Sequence, residues 1–211
     1  MPFDYKKEYK EIYQPSKMPS LIEVPPISYV AVRGKGDPNE EGGEYQRAIQ
    51  LIYGISYTIK MSPKSGHKLE GYLPYVVPPL EGFWTFPEPI EQLDPNRKTE
   101  LEWISCIRLP EFVTPEVFDW SVQEATRKKK SDFSKVEMIT VDEGLCVQCM
   151  HIGSYDDEPA TVDVLRVYAE AEGMQFDQNE KRLHHEIYLS DPRRTVPERL
   201  KTVLRIPVKP V

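Results

Sequence analysis

Apolar residues with two-residue or helical spacing divide most of the chain into strands and helices. Residues 27–32 (ISYVAV) are β-branched or aromatic and lead into a Gly/Asp/Pro turn, which predicts a strand. Between residues 41 and 60, apolar side chains recur every three or four positions, as in a helix with one buried face. Residues 1–26 are polar and interrupted by prolines, so we expect a loosely packed lead-in without regular structure.

The same two spacings predict the remaining elements. Thr114, Pro115 and Glu116 supply an N-cap, a proline and an early acid for a helix that runs to about residue 130. Another helix follows Pro159 and is closed by Gly173. The further predicted strands are 71–77, 82–86, 101–109, 136–140, 145–152, 183–189 and 202–207.

The predicted elements occur twice in the order strand, helix, strand, strand. The first copy, module one, covers about residues 27–86, and the second, module two, covers about 136–208. An extra strand and helix at about 100–130 are inserted between them. Helices gathered on one side of a mostly antiparallel sheet make the predicted fold α+β.

The composition is that of a soluble globular chain with one compact domain or two small halves. Its 211 residues are 39% hydrophobic and 29% charged, which provides enough apolar material for a core. The net charge of −7 disfavours nucleic acid and anionic membranes as partners. No segment resembles a signal peptide or a membrane span, so we expect a cytoplasmic protein. The three cysteines form neither a paired framework nor a zinc site, and we expect no cofactor.

Glu186 is a carboxylate in the middle of a predicted strand, residues 183–189. Because side chains alternate along a strand, His184, Glu186 and Tyr188 share one face, and His185 points the other way. One interpretation is a structural carboxylate that is solvated or paired with Arg193, because burying an unpaired charge is costly. The other is a carboxylate in a cleft that attracts a cation or activates water. Two adjacent histidines on a strand diverge, so we expect no metal site.

Aromatic residues cluster on or beside the predicted sheet. Most residues of this kind belong to an ordinary core. Several of them around one carboxylate would form a cage for a flat or cationic ligand. The cluster comprises Tyr53, Tyr57, Tyr72, Tyr75, Phe83, Trp84, Trp103, Tyr155 and Tyr188.

Three segments together resemble the family of GyrI-like small-molecule-binding domains in its stand-alone, two-module form. They are residues 79–84 (PLEGFW), 143–159 (EGLCVQCMHIGSYDDEP) and 184–208 (HHEIYLSDPRRTVPERLKTVLRIPV). The resemblance extends over nearly the whole chain. It implies a single domain over residues 27–211, built from two βαββ modules with a pseudo-twofold relationship and a ligand cleft between them.

The resemblance also implies a function. In related multidrug-sensing domains an acid among aromatic residues binds flat hydrophobic cations, and Glu186 stands where that acid would be. Some stand-alone members look like hydrolases that open the cyclopropane of DNA-alkylating, duocarmycin-type compounds and so protect the cell. Carried over, Glu186 would orient or deprotonate water, or attack directly, while Tyr155 or Tyr188 donates to the developing phenolate. The implied ligand-binding residues are Trp84, Trp103, Tyr57, Tyr53, Phe83 and His184.

Two other classes of function fit the same residues. A non-catalytic module would sequester or sense hydrophobic cations and would bind without forming product. An interaction protein, such as a gyrase inhibitor, would offer its acidic surface to a basic partner, but no segment singles out that partner. A helix-turn-helix would indicate a transcriptional sensor, and the segment before Ile27 is too short and proline-rich to hold one. Residues 83–85 (FWT) depart from the GLWW pattern of the family, which leaves the closure of the cleft there open.

Overall fold

The computed structural model describes residues 1–85 and 95–211, without the side chains of 95–97. Phe86, the predicted end of one strand, lies outside the described residues. The strands are β1 (Ser20–Val24), β2 (Ile27–Lys35), β3 (Leu80–Thr85), β4 (Glu102–Arg108), β5 (Glu137–Val141), β6 (Gly144–Ile152), β7 (Met174–Phe176), β8 (His184–Tyr188) and β9 (Lys201–Pro210). The α-helices are α1 (Tyr5–Glu8), α2 (Lys10–Tyr13), α3 (Glu44–Lys60), α4 (Pro115–Lys129) and α5 (Glu158–Ala171).

These strands form an antiparallel sheet in the order β1-β6-β9-β8-β3-β4-β2-β5, and β7 pairs with one end of β9. The three long helices α3, α4 and α5 pack on one side of this sheet. The predicted α+β fold is therefore confirmed. Among the described residues, no helix combines the length and the apolar character needed to cross a membrane.

Local sequence signals set the limits of the long helices. The hydroxyl of Thr114 accepts a hydrogen bond from the backbone N–H of Val117 at 3.3 Å, so Thr114 is the predicted N-cap of α4. Pro115 occupies the first position of that helix, where no hydrogen-bond donor is needed. Gly173, with a φ of +72°, follows the end of α5 in the left-handed conformation that glycine adopts at little cost.

The two modules are present, but the strands of module one differ from the prediction. Residues 71–77 form no strand, and their one ladder contact is an isolated bridge between Tyr75 and Phe3. Pro74 lies within this segment and Pro78 follows it, and neither can donate to a ladder. The strand predicted as an insertion, β4, instead pairs with β2 and β3, as β9 pairs with β6 and β8. Each module is thus a βαββ unit whose last strand lies in its centre, and β4 completes module one.

The edge strands are exchanged between the modules. β1 precedes β2 in the chain but pairs with β6 of module two. β5 precedes β6 in the chain but pairs with β2 of module one. Together with the central β3–β8 pair, these exchanges make one continuous sheet from both modules.

The prediction that residues 1–26 lack regular structure is wrong. This segment contains α1, α2 and β1, and it packs on the side of the sheet opposite the long helices. Tyr5, Ile12 and Tyr13 are buried there. These residues do not recur with strand or helix spacing over a stretch long enough to be recognised among the lysines and glutamates between them. The sequence therefore contained no periodic signal that predicted their burial.

A cleft opens on the helical side of the sheet, over its central strands. α3 packs over the strands of module one and α5 packs over β6 and β9 of module two. Neither helix covers the junction between β3 and β8, so residues of both strands line the cleft. The pairing of the modules thus places β8, the strand of Glu186, at the floor of a cavity.

Candidate functional site

The cleft has a volume of about 950 Å³, large enough for a drug-sized molecule. The first turns of α3 and α5 face it from opposite sides, with Tyr45 on α3 and Glu158 on α5. Glu186 and Tyr188 of β8 and Trp84 of β3 line its central part. The site therefore combines aromatic walls with two carboxyl groups.

Glu186 is held by its own strand. The side chain is 8% exposed. Its Oε2 accepts a hydrogen bond from the Tyr188 hydroxyl at 2.7 Å, and its Oε1 accepts one from Nε2 of His184 at 3.1 Å. The predicted common face of these residues is therefore confirmed. The interpretation that pairs Glu186 with Arg193 is wrong, because Arg193 is paired with Asp191 at 3.0 Å.

Trp84 extends this hydrogen-bonded chain across the sheet. Its indole Nε1 donates to the hydroxyl oxygen of Tyr188 at 2.9 Å, so the order of donation is Trp84, Tyr188, Glu186. Gly82 makes the approach possible. A Cβ atom at residue 82 would lie 2.6 Å from Nε1 of Trp84, closer than real Cβ contacts allow, and a tight 3.1 Å from the Tyr188 oxygen. The strand thus needs glycine where the two side chains meet.

Glu158 is a site residue that sequence analysis missed. It is the first residue of α5, is 4% exposed, and lines the cleft. Its Oε1 is buried and has no hydrogen-bond partner within residues 1–85 and 95–211. Burial and the negative charge of Glu186 raise the pKa of Glu158 well above its usual range. Glu158 therefore holds its proton more tightly than an ordinary carboxyl group, and it lies beside Glu186. An acid at a helix start is common, so the sequence offered no signal for this role.

Tyr45 was also missed, and it takes the place predicted for Trp103. The Tyr45 ring lines the cleft, with its centroid 5.4 Å from that of Trp84. Trp103 packs behind it, edge to face at 5.0 Å, and is 2% exposed. The prediction that Trp103 stacks on a ligand is therefore wrong, because Tyr45 and the sheet cover its ring. Burial raises the pKa of Tyr45 far above its usual range, which keeps its hydroxyl protonated.

Phe83 lies outside the cleft as well. Because neighbours on a strand point to opposite faces, Phe83 faces away from Trp84 and stacks on His185 at 4.0 Å between ring centroids. His184 shares the face of the cleft but is buried beneath its lining, where it contacts Glu186. The predicted role of Phe83 in ligand binding is wrong, and His184 supports the carboxylate from below.

The remaining predicted aromatic residues lie on the walls of the cleft. Tyr53 and Tyr57 of α3 line one wall, with ring centroids 6.1 Å apart and nearly parallel planes. Tyr155 lines the other and meets the Tyr188 ring edge to face at 5.8 Å. Burial, helped by the charges of Glu158 and Glu186, raises the pKa of Tyr155 to about 12. Tyr155 is therefore a hydrogen-bond donor at neutral pH.

A buried ionic cluster lies on the opposite face of the sheet, behind Glu186. Nδ1 of His185 donates to Glu143 at 2.9 Å and Nε2 donates to Glu81 at 3.0 Å. Arg205 donates to Glu143 at 3.1 Å and to the backbone oxygen of Ile12 at 2.8 Å. Burial opposes the charge on His185, but its two carboxylate neighbours outweigh burial and raise its pKa. The cluster therefore anchors the N-terminal segment to both modules.

The described residues contain no group of three or more His, Cys, Asp and Glu side chains arranged to hold a metal ion. The chemistry that the site does offer comes from a proton donor and a proton acceptor side by side. Glu158 can give a proton and Glu186 can take one, within walls that orient a flat ligand.

Comparisons with known proteins agree with this architecture. A model of the GyrI-like small molecule binding domain matches residues 17–209. A comparison with curated proteins finds no match. The crystal structure of an uncharacterized conserved protein from Listeria innocua is 45% identical, with a TM-score of 0.92 over 98% of this chain and 100% of that one. A hydrolase from Listeria innocua is 44% identical, with a TM-score of 0.88 over 98% and 100% of the two chains. The EcmrR C-terminal domain, 14% identical over 92% and 98%, shares the fold with a TM-score of 0.55.

Proposed function

This chain belongs to the family of GyrI-like small-molecule-binding domains, and we propose that it is a hydrolase of planar compounds with an electrophilic cyclopropane. The observation that carries this proposal is the Glu186 carboxylate, fixed through both oxygens at the floor of a cleft walled by aromatic rings. The 44% identical structure described as a hydrolase supports hydrolytic chemistry.

Binding of the planar body follows from the walls. Tyr53 and Tyr57 on one side and Tyr155 on the other present ring faces and edges, and aromatic contacts of this kind favour flat apolar ligands. The charge of Glu186 favours a cationic or electron-poor group at the centre of the cleft. The reactive carbon of a bound electrophile is therefore directed toward the carboxylate.

In the hydrolytic step, Glu186 takes a proton from a water molecule as the water oxygen bonds to a cyclopropane carbon. The ring C–C bond breaks, and its electron pair moves through the conjugated system to a carbonyl oxygen, which becomes a phenolate. The Tyr188 proton is already engaged by Glu186, so Tyr155 donates a hydrogen bond to that phenolate. The phenolate then takes up a proton from water, and Glu186 releases its proton to water, which restores the starting state. A positioned general base contributes about 10²- to 10⁴-fold to the rate.

The test is product formation from a duocarmycin-type cyclopropane, followed by liquid chromatography and mass spectrometry. Wild-type protein should yield a water-added product, and Glu186→Gln should lower the rate at least about 10²-fold. Glu170→Gln is the matched control, because Glu170 is an exposed carboxylate on α5 outside the cleft lining. Saturable quenching of tryptophan fluorescence without product would overturn hydrolysis and leave a binding module.

A single turnover in H₂¹⁸O identifies the role of Glu186. If the carboxylate activates water, the first product carries ¹⁸O. If the carboxylate attacks the ring directly, the first product carries ¹⁶O and the label enters the protein. The bonds from Tyr188 and His184 occupy one site on each carboxylate oxygen and restrain it, so we expect the label in the product.

A further inference from the structure

We propose that the cleft has a second activity: Glu158 and Glu186 act as an acid–base pair that hydrolyses planar aryl epoxides to diols. This inference rests on the proposed function, because it uses the same cleft and the same base. It adds a substrate whose leaving atom is oxygen, and a catalytic residue, Glu158, that cyclopropane opening does not require.

The position of Glu158 carries the inference. The side chain is almost fully buried, yet it lines the cleft and approaches Glu186, at the floor, from the wall that α5 forms. Its Oε1 has no hydrogen-bond partner in the described part of the chain. Leaving a buried carboxyl oxygen unpaired costs free energy unless a ligand or water completes it. Because Glu158 lines the cleft beside Glu186, a bound ligand can reach its carboxyl group and exchange a proton with it.

The two kinds of three-membered ring differ in where they need that proton. In a conjugated cyclopropane, the electron pair of the broken bond ends on a carbonyl oxygen several bonds from the ring. In an epoxide it stays on the ring oxygen, next to the carbon under attack. An acid beside the base is therefore required for an epoxide, and Glu158 stands beside Glu186. Burial and the charge of Glu186 favour the protonated form of Glu158, which fits the role of acid.

The step balances without another reactant. The water oxygen bonds to one ring carbon while Glu186 takes a proton from that water. The C–O bond to the same carbon breaks, its electron pair stays on the ring oxygen, and that oxygen takes the proton of Glu158. The product is a vicinal diol, with Glu186 protonated and Glu158 ionised. Transfer of one proton from Glu186 to Glu158 restores the starting state.

The two side chains that are hydrogen-bonded to Glu186 cannot supply this proton as effectively as Glu158. The Tyr188 hydroxyl already donates to Glu186, and its pKa is raised well above the usual range by burial and by that carboxylate. His184 lies beneath Glu186, outside the lining of the cleft. Glu158 is therefore the acid that this geometry supports.

The experiment uses phenanthrene 9,10-oxide as the planar epoxide, with a duocarmycin-type cyclopropane run in parallel. Liquid chromatography and mass spectrometry separate the dihydrodiol from the phenol that forms by spontaneous rearrangement. We expect wild type to form the diol, and Glu158→Gln to lower its rate at least about 10²-fold. Cyclopropane opening by the same variant is measured alongside, and its rate should fall at least about tenfold less than the rate of diol formation, since no acid at the ring is needed there. Glu170→Gln should match wild type on both compounds.

Failure of this inference is distinguishable from failure of the proposed function. Cyclopropane opening without diol overturns the epoxide activity alone. Diol formation that Glu158→Gln leaves unchanged overturns the role of Glu158. If neither compound reacts with wild-type protein, both proposals fall. Circular dichroism checks the fold of each variant, and Glu158→Leu, an apolar replacement of similar size, repeats the comparison if Glu158→Gln does not fold.

Discussion

Gly82 lies directly opposite Glu186 in the β3–β8 ladder, and its missing side chain leaves the space in which Trp84 reaches Tyr188. The glycine and the residue that carries the carboxylate are register partners in the sheet. A side chain at residue 82 would displace Trp84 and Tyr188, and Tyr188 is one of the two residues hydrogen-bonded to Glu186. Backbone pairing and the geometry of the site are therefore linked at this position.

Gly82→Ala should weaken both the fold and ligand binding at the site. The added methyl group displaces the Trp84 indole, at a cost of about 1–3 kcal/mol in unfolding free energy for overpacking. We expect ligand affinity to fall at least about tenfold, which corresponds to about 1.4 kcal/mol. Fluorescence titration and urea unfolding measure the two effects. Gly54→Ala, whose new methyl group meets Phe133 outside the cleft, should leave affinity unchanged. Equal affinity in Gly82→Ala and wild type would contradict this account.

Tyr188→Phe should lower turnover without preventing folding. The substitution removes one of the two bonds to Glu186 and the acceptor of Trp84. We expect kcat/KM to fall between about tenfold and a hundredfold through misplacement of the base. The loss in unfolding free energy should be about 1 kcal/mol. Tyr72→Phe is a matched control, because it removes a tyrosine hydroxyl that donates a hydrogen bond to the backbone oxygen of Lys60 at 2.8 Å. An unchanged kcat/KM in Tyr188→Phe shows that the restraint on Glu186 is unimportant.

Quenching of tryptophan fluorescence separates the two tryptophans assigned to ligand binding by sequence. Trp84 lines the cleft and Trp103 lies behind Tyr45. Trp84→Phe should therefore abolish most ligand-dependent quenching. Trp103→Phe should retain it and instead lower the melting temperature, because truncating a fully buried aromatic side chain leaves a cavity. Loss of quenching only in Trp103→Phe contradicts the placement of these rings.

Stability should depend on pH through the ionic cluster behind the site. The pKa of His185 is raised by Glu143 and Glu81, so the stability from its charge is fully present below its ordinary pKa and is lost as pH rises through the raised value. Burial opposes the charge of Glu143, but His185 and Arg205 lower its pKa to about 2. Its contribution is present above the ordinary carboxyl pKa and is lost as pH falls toward about 2. Urea unfolding across this range should give a maximum between the two limits.

His185→Gln tests which group produces the alkaline side of that maximum. The substitution leaves two buried carboxylates without their shared partner, at a cost of about 3–5 kcal/mol near neutral pH. It should also remove the decline in stability that wild type shows at higher pH. His67→Gln, at an exposed histidine stacked on Trp120, should keep the decline. A decline that survives in His185→Gln must come from another group.

The sequence was sufficient for most of the elements and for the identity of the central carboxylate. Strand alternation alone placed His184, Glu186 and Tyr188 on one face, because that relationship depends only on neighbours in the chain. The pairing of strands depends on partners far apart in sequence. β4 therefore looked like an insertion until its pairing with both β2 and β3 showed it to be the centre of module one.

The residues that were missed or misplaced depend on burial, which no local pattern records. Glu158 has the sequence of an ordinary helix start, and only its position against Glu186 makes it a protonated acid. Trp103 and Tyr45 are both aromatic residues near the cleft, and the order in which they pack decides which one a ligand meets. These distinctions are set by tertiary packing, so they could not be predicted from the positions of the residues in the chain.

The exchanged edge strands also determine what happens when the chain is divided or synthesised. During synthesis, module one emerges before β5, which is the strand that pairs with β2. The edge of β2 therefore stays unpaired until β5 has been made. The strand that will cover β6 has by then already emerged as β1. A cut between α4 and β5 would give two fragments, each carrying the strand that closes the sheet of the other. Such fragments would assemble as reciprocal partners, since neither contains a complete sheet of its own.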